Sequence, residues 1–303
     1  MTSVEAAYLA LHRSGELRRR ASNALQRLTD CDLCANRCLV DRLAEPDRAR
    51  CRTGEHAVVC SVGPHHGEER PLSGRRGSGT IFFGWCNLGC VFCQNWQISH
   101  QGEGQEMDCK VLADRMLSLQ AAGCHNINFV SPSHVIPQIL SALVIAAEHG
   151  LKLPLVYNSG GYDSAEGLAL MDGVIDIYMP DMKFADSQIA APYLGVSDYA
   201  EINRNAVLEM HRQVGDLALD ETNIARRGLL VRHLVLPQDL AGTEQTLLFI
   251  AEQVSRDTYL NLMDQYRPCF QAHHFAGLDR RPNRSELHQA RAIAKRLGLH
   301  RLE

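Results

Sequence analysis

Three closely spaced cysteines constrain this chain more than any other feature of its 303 residues. Residues 79–99 read GTIFFGWCNLGCVFCQNWQIS, and Cys86, Cys90 and Cys93 follow a short apolar strand predicted at residues 80–83. Three thiols cannot all pair as disulfides, whereas three thiolates at this spacing can hold three irons of an iron–sulfur cluster. The fourth iron would then have no protein ligand, which suits a cluster that binds a substrate.

This stretch resembles the signature of the radical S-adenosylmethionine (SAM) superfamily, C-x3-C-x-aromatic-C. Phe92 fills the aromatic place. The resemblance implies a [4Fe-4S] cluster held by Cys86, Cys90 and Cys93, with SAM bound to the free iron. It also implies that the reduced cluster cleaves SAM to a 5′-deoxyadenosyl radical, which abstracts a hydrogen atom from a substrate.

Predicted strands and helices alternate six times after the cysteine-rich N-terminal part. The strands are predicted at residues 80–83, 127–130, 155–157, 174–179, 229–236 and 259–263. The helices are predicted at residues 109–122, 133–148, 164–171, 187–213, 243–254 and 285–297. This alternation is typical of βαβ units around a parallel sheet. Six repeats are too few for a closed eight-stranded barrel, and the resemblance implies an α/β fold with a partial (β/α)6 TIM-like barrel of radical SAM type.

Four more cysteines lie in the N-terminal extension. An amphipathic helix is predicted at residues 4–28, and Cys31, Cys34, Cys38 and Cys51 follow it with the spacing C-x2-C-x3-C-x12-C. Four thiolates suit either tetrahedral zinc or an auxiliary iron–sulfur cluster, and spacing alone does not choose between them.

The extension therefore divides the chain into two predicted regions. Residues 1–70 would carry the helix and the metal-binding segment, and residues 71–303 would form the core domain. Cys60, in an apolar run with Val58 and Val59, is a spare candidate ligand.

Polar residues that follow the predicted strands are the candidate ligand-binding residues, because barrel active sites lie at the C-terminal strand ends. Ser131 follows the second strand and Asn158 the third. Asp181 and Lys183 follow the fourth, two residues apart and hence on the same side. They could complement the ammonium and carboxylate groups of an amino-acid-like ligand, or simply form an ion pair at a strand end.

One strand end departs from the superfamily pattern. A Gly-Gly-Glu-type motif commonly follows the second strand, whereas this chain has Ser131-Pro132-Ser133-His134. Ser133 is expected to cap the following helix, and His134 is expected at the surface in its first turn.

The motifs YNSGGY and MPDMK resemble the glycyl-radical-enzyme activating branch, specifically pyruvate formate-lyase activating enzyme. The resemblance places Asp181 and Lys183 beside SAM, and Arg232 of the fifth strand matches an arginine near SAM. Asn158 stands where the branch has an aspartate that helps bind a monovalent cation, so the resemblance departs at this position. The cysteine-rich N-terminal part looks more like an uncharacterised activase-like branch whose substrate is open.

Composition limits the partners. A net charge of −4 provides no basic surface for nucleic acid, and the apolar stretch at residues 135–147 is too short to span a bilayer. Eleven cysteines without a recognisable secretion signal favour a reducing cytoplasm. The resemblance implies an electron donor of the flavodoxin or ferredoxin type and a protein or peptide substrate.

Two hypotheses remain open at this point. One is a radical SAM enzyme, and the other is a non-catalytic iron–sulfur or zinc protein for electron transfer or scaffolding. The free fourth iron and the polar strand ends favour the enzyme, because an electron carrier would use four cysteines.

Overall fold

A computed structural model describes residues 5–303, and the strands of this part form one mixed sheet of nine. The strands are β1 (Ala57–His65), β2 (Ser78–Phe83), β3 (Gln105–Met107), β4 (Ile127–Val130), β5 (Leu155–Ser159), β6 (Ile177–Met182), β7 (Ala218–Leu219), β8 (Ala225–Leu234) and β9 (Tyr259–Met263). Their order is β3-β1-β2-β4-β5-β6-β8-β7, and β9 also pairs with β8. The sheet is open.

The six strands predicted from the sequence form the parallel part of this sheet. They are β2, β4, β5, β6, β8 and β9, each parallel to the next. Their C-terminal ends therefore meet at one edge, where the candidate ligand-binding residues were expected. The prediction of an α/β fold is confirmed, while closure into a partial barrel stays a prediction.

An antiparallel edge was not predicted. β1 pairs antiparallel with both β2 and β3, and β7 pairs antiparallel with β8. β1 belongs to the predicted N-terminal region and β2 to the predicted core, so the two regions share one sheet.

Eleven α-helices accompany the sheet in residues 5–303. They are α1 (Tyr8–Arg13), α2 (Glu16–Gln26), α3 (Arg70–Ser73), α4 (Trp96–Gln101), α5 (Cys109–Ala121), α6 (Ile136–Glu148), α7 (Ala165–Met171), α8 (Ser187–Leu194), α9 (Tyr199–Val214), α10 (Thr243–Phe249) and α11 (Arg284–Arg296). A π-helical turn at Ile250–Val254 extends α10. No helix in this part of the chain is long and apolar enough to cross a membrane.

Two helices predicted as continuous are each broken at a glycine. The helix predicted at residues 4–28 is split into α1 and α2 by Gly15, whose φ of 80° is left-handed. The helical region predicted at residues 187–213 is split into α8 and α9 after Gly195, whose φ is 71°. Glycine adopts this conformation without the steric cost of a Cβ, so both breaks have a local cause. Residue 4 lies outside the described residues.

The stretch after β4 also differs from its prediction. Ser133 does not cap the helix, because α6 begins at Ile136 with Val135 in the capping position. His134 is buried, not exposed, and its Nε2 lies 3.0 Å from the Gly84 carbonyl oxygen. Burial, aided by the Arg42 guanidinium, lowers the pKa of His134 to about 3. The N-terminal segment covers this turn through Arg42, which donates to the His134 carbonyl oxygen. The periodicity of apolar residues in a helix cannot predict burial by a distant segment.

The apolar stretch at residues 135–147 becomes the buried helix α6. α2 and α5 both pack against it, which explains why apolar residues continue around most of its circumference. The side chains of Tyr8 and Leu17 in α1 and α2 are fully buried in the same core. The N-terminal helices are therefore an integral part of the packing.

Gly161 and Gly150 form a matched pair for measuring steric cost. Both have left-handed φ angles, 73° and 89°. A Cβ on Gly161 would lie 2.1 Å from Asn203 Nδ2 and 2.3 Å from the Asp181 carbonyl oxygen, whereas a Cβ on Gly150 would meet nothing within 4 Å. We expect Gly150→Ala to lower the free energy of unfolding by about 1 kcal/mol. Gly161→Ala should cost about 1–3 kcal/mol more, measured by urea unfolding. Equal losses would contradict the close packing.

Candidate functional site

A cavity of about 250 Å³ lies at the C-terminal ends of the parallel strands. Its lining includes all eight residues predicted from the SAM-related motifs and strand ends: Cys86, Cys90, Cys93, Ser131, Asn158, Asp181, Lys183 and Arg232. The structure therefore brings together residues that span almost 150 positions of the sequence. Their assignment to particular ligands stays a prediction.

The cysteine loop connects β2 to α4 and forms one wall of the cavity. The Leu88 N–H points at Cys86 Sγ, 3.4 Å away, and Cys93 Sγ lies 3.0 Å from Ser99 Oγ. Hydrogen bonds of this kind to sulfur tune the ligands of iron–sulfur clusters. Cys86 and Cys93 thus each have a polar group beside their sulfur atom, one from the loop and one from α4.

Phe92 anchors this loop. It is buried, and its ring centroid lies 6.1 Å from those of both Phe184 and Tyr266. Aromatic pairs at this separation stabilise packing beyond simple area burial. The aromatic residue of the motif therefore fixes the position of the loop between Cys90 and Cys93.

Asp181 is the centre of a charged cluster on the opposite wall. Its carboxylate accepts hydrogen bonds from Lys183 Nζ at 2.5 Å and Arg232 Nε at 2.7 Å. Burial alone would raise the pKa of Asp181, but Arg232 and Lys183 outweigh burial and hold it below its usual range. Asp181 is therefore ionised at neutral pH, and the strand-end ion pair considered from the sequence is formed.

Neighbouring strands supply the rest of this cluster through their register. Asp181 of β6 is paired with Arg232 of β8, which brings the two charged side chains side by side. Arg232 Nη2 donates to Asn158 Oδ1 at 2.6 Å. Asn158 thus contacts an arginine through the amide oxygen.

Ser131 has an unusual backbone conformation at the end of β4. Its φ is 60°, in the left-handed region that non-glycine residues seldom occupy. Its N–H donates to the Asn158 carbonyl oxygen at 2.9 Å. Such conformations cluster at functional sites, where surrounding structure holds them in place.

Lys183 also acts on the cysteines. Burial raises the pKa of the Cys86 thiol to about 11 and also raises that of Cys90. Lys183 acts in the opposite direction on both thiols, because its ammonium favours the nearby thiolate forms. Metal ligands must be thiolates, so a cation at this place assists metal binding.

Sequence reasoning missed two acidic residues beside Arg232. Glu68 Oε2 lies 3.8 Å from Arg232 Nη1, and burial raises the pKa of Glu68. Glu69 is also buried, and its Oε1 accepts a hydrogen bond from Asn261 Nδ2 at 2.8 Å. Both glutamates line an adjoining cavity of about 460 Å³ that shares Arg232 and Asn158 with the first. They lie between β1 and α3, and β1 was not among the predicted strands, so a search of predicted strand ends could not find them.

The four N-terminal cysteines lie in one segment outside the lining of this cavity. Cys31, Cys34 and Cys51 are buried, and Cys38 is half-buried. Burial raises the pKa of Cys34 to about 12, and the neighbouring thiols of Cys51 and Cys31 add to this effect. Burial also raises the pKa of Cys51, and the thiols of Cys31 and Cys38 add to this effect. The thiols of Cys31, Cys34, Cys38 and Cys51 therefore influence one another electrostatically.

Cys60, the spare candidate ligand, lies elsewhere. It is on β1, where burial raises the pKa of its thiol and the nearby Glu103 carboxylate adds to this effect. Across residues 5–303, no three side chains of His, Cys, Asp or Glu converge at the spacing of a single-ion site. A cubane distributes its thiolates over separate iron corners, whereas zinc gathers four around one point. The metal assignments at both cysteine groups stay predictions.

Comparison with known proteins finds one substantial relative. The uncharacterized protein MJ0674 of Methanocaldococcus jannaschii is 32% identical over 279 residues, which is 89% of this chain and 75% of that protein. No protein-family model matches the chain. A structure of TYW1 with a lysine-pyruvate adduct bound is 12% identical and covers 72% of each chain, at a TM-score of 0.44. That score is too low to bear on fold or function.

Removal of the Asp181 charge should destabilise the fold, because Lys183 and Arg232 would lose the carboxylate that compensates their charges. We expect Asp181→Asn to lower the free energy of unfolding at pH 7 by about 3–5 kcal/mol, because two half-buried cations lose their buried, ionised partner. The exposed pair of Asp172 with Arg212 offers a control, and Asp172→Asn should cost less than about 1 kcal/mol. Urea unfolding of both variants provides the comparison.

The same variant should show a specific pH dependence. The pKa of Asp181 is depressed in the folded protein, so its stabilisation is present above the unfolded value of about 3.9. It is lost as the pH falls further, through the folded pKa. The stability difference between wild type and Asp181→Asn should therefore shrink below about pH 4. A difference that grows on acidification would contradict this assignment.

Proposed function

The chain belongs to the same family as the Methanocaldococcus jannaschii protein, and we propose that it is a radical SAM iron–sulfur enzyme. One observation carries the proposal. The three thiols of the C-x3-C-x-aromatic-C motif line the same cavity as the charged side chains of Asp181, Lys183 and Arg232. A pocket that combines an incomplete set of thiolate ligands with buried charges of both signs suits a cluster that binds SAM.

The residues present fit the proposed cofactors. Cys86, Cys90 and Cys93 would hold three corners of a [4Fe-4S] cluster, and Lys183 lies near enough to favour the thiolate forms of Cys86 and Cys90. When bound, a reduced cluster supplies the electron that splits SAM into methionine and a 5′-deoxyadenosyl radical, which abstracts a hydrogen atom from the substrate. The cysteine loop would fix the position of this cluster, because the buried ring of Phe92 anchors the loop.

Charged residues of the cavity would orient SAM. Lys183 and Arg232 offer cations to its carboxylate, and Asp181 offers a carboxylate to its ammonium. These side chains are paired with one another, so a zwitterionic ligand would enter by exchanging ion pairs. The ammonium and carboxylate of SAM together add no net charge to the cavity, whereas its sulfonium would add one positive charge. Ser131 and Asn158 would add polar contacts at the adjacent strand ends.

Apolar residues would exclude water from the reacting groups. Leu234, Met263 and Tyr266 are buried and line the same cavity. A protein that uses reactive cofactors contributes mainly orientation and exclusion of side reactions. This wall would protect a radical from solvent.

The substrate class rests on the sequence motifs. YNSGGY and MPDMK support an activating-enzyme-like role in the partial barrel fold of radical SAM type, with a protein or peptide substrate. A flavodoxin-like or ferredoxin-like protein would donate the electron, in a reducing cytoplasm. Cys31, Cys34, Cys38 and Cys51 are candidates for a second metal centre, zinc or iron–sulfur.

Cys90→Ala tests the cluster assignment. Two thiolates hold a cubane poorly, so the anaerobically reconstituted variant should lose most cluster absorbance and all SAM cleavage. Chromatography of 5′-deoxyadenosine after chemical reduction measures the cleavage. Cys124→Ala is the control, because Cys124 is buried outside the cavity lining and should be dispensable.

Two outcomes would count against the proposal. Full SAM cleavage by Cys90→Ala would remove Cys90 from the ligand set. A wild-type protein that holds its cluster but never cleaves SAM would favour a non-catalytic electron carrier.

Lys183→Ala tests the SAM contact separately from the cluster. A charge-assisted hydrogen bond is worth roughly 1.5–3 kcal/mol, so the Kd for SAM should rise about tenfold or more. Iron content should stay at the wild-type value, and the exposed Lys110 provides a control in Lys110→Ala. Calorimetric titration with SAM measures the affinity. An unchanged Kd with an intact cluster would give Lys183 a purely structural role.

A further inference from the structure

Arg42 is a buried cation without a carboxylate partner. Its exposed fraction is 1%, and it is the largest of the fully buried side chains. Its Nε donates to the Thr53 carbonyl oxygen at 2.6 Å, and its Nη2 donates to the His134 carbonyl oxygen at 2.9 Å. In residues 5–303, none of the salt bridges includes Arg42.

Sulfur atoms occupy the place where a carboxylate would be expected. Arg42 Nη1 points at Cys31 Sγ, 3.5 Å away. The thiols of Cys51 and Cys34 also lie close to the guanidinium. A buried charge is costly unless it is paired, and neutral thiols carry no charge to pair with it.

We propose that Cys31, Cys34, Cys38 and Cys51 bind a closed four-thiolate metal centre, with Arg42 as its buried counter-cation. Because no three of these side chains converge at the spacing of a single-ion site in residues 5–303, their arrangement favours a [4Fe-4S] cluster, and zinc would require the thiols to move closer together. Four thiolates around Zn²⁺, or around a [4Fe-4S]²⁺ cluster, carry two negative charges by formal count. Arg42 offsets one of them inside the protein. Metal binding would release the four thiol protons to solvent.

Further polar groups are directed at the proposed ligands. Asn36 Nδ2 lies 3.7 Å from Cys34 Sγ, and Thr53 Oγ1 donates to the Cys51 carbonyl oxygen at 2.8 Å. Outer partners of this type orient metal ligands, and their loss commonly reduces metal affinity 10- to 100-fold. Arg42 and Asn36 are therefore directed at sulfur atoms, while Thr53 holds the backbone of Cys51.

The segment has little else to order it. Between Cys31 and Thr53 the regular structure is one short turn of 3-10 helix at Pro46–Arg48 and an isolated bridge at Cys34. Such a segment buries few apolar residues of its own, and metal binding would contribute to its folding. Bonds from the four thiolates to the metal would hold the segment together in place of a hydrophobic core.

The proposed centre also holds the cysteine loop of the cavity. Asn36 Nδ2 donates to the Asn87 carbonyl oxygen at 2.7 Å, and Asn87 is the neighbour of Cys86. On the other side, Ser164 Oγ donates to the Leu33 carbonyl oxygen at 2.9 Å. The segment is thus docked between the loop and α7. This inference does not depend on the proposed SAM chemistry.

Metal analysis of the full-length protein tests the centre. Wild type, the double variant Cys34→Ser/Cys38→Ser and the control Cys124→Ala are purified and reconstituted anaerobically, and iron and zinc are counted per chain. We expect the double variant to lose one zinc or about four irons, whereas Cys124→Ala keeps both totals. Loss of zinc identifies a structural zinc site, and loss of iron identifies an auxiliary cluster. Unchanged totals would overturn the proposal.

Wild type provides the measurement that does not depend on a variant that folds. It should contain one zinc beside about four irons, or about eight irons. Four irons without zinc would overturn the second centre if Cys34→Ser/Cys38→Ser keeps all four and Cys90→Ala loses them. Four irons lost from Cys90→Ala alone would still test the cavity cluster separately, so failure of one site is distinguishable from failure of the other.

Variants of Arg42 test the counter-cation. Arg42→Met removes the charge and keeps an unbranched side chain, and Arg42→Lys keeps the charge with fewer donors. We expect Arg42→Met to lose the N-terminal metal to a chelator at least tenfold more readily than wild type, with Arg42→Lys in between. Retention by Arg42→Met equal to that of wild type would overturn this role.

Trypsin provides a readout that reports the docking of the segment. Arg37, Arg48 and Arg52 are exposed in it. The chelated or doubly substituted protein should be cut there more than tenfold faster than the metal-loaded protein, while the remaining cleavage pattern is unchanged. Equal rates would show that no metal orders this segment.

Discussion

The buried carboxylate of Asp181 is the constraint on which the cavity depends. An ionised carboxylate away from water needs compensating charge, and here two cations supply it from the same strand and from the neighbouring one. The parallel register of β6 and β8 places Asp181 opposite Arg232, so the backbone itself sets the positions of these two groups. The cavity is therefore preorganised by the backbone, and its charges need little rearrangement to receive a ligand.

Much of the site follows from local patterns in the sequence. The six parallel strands are apolar runs with helical patterns between them, and periodicity detects such runs. The residues of the cavity follow from a general rule, since parallel strands present their C-terminal ends at one edge. Asp181 and Lys183 both line the cavity, because Asp181 is near the end of β6 and Lys183 follows that strand directly.

Features that depend on distant parts of the chain were not predictable in the same way. His134 has the polarity of a surface residue, yet the N-terminal segment covers it and Arg42 donates to its carbonyl oxygen. β1 pairs with β2 and β3 at the antiparallel edge, outside the alternation of strands and helices from which the other strands were predicted. The breaks at Gly15 and Gly195 depend on one dihedral angle each, to which apolar periodicity is blind. The roles of Arg42 and Glu69 could not be predicted, because they depend on the burial of these charged side chains, which the sequence pattern does not show.

The guanidinium of Arg232 restricts how the sequence can vary. Each of its three nitrogens faces a different residue: Nε faces Asp181, Nη2 faces Asn158 and Nη1 faces Glu68. A lysine has one nitrogen on a flexible stem and cannot reproduce this planar fork. Replacement of Arg232 would therefore leave several buried partners unmatched at once. A substitution here that keeps every buried group paired would therefore need matching changes on two other strand ends and in the loop before α3.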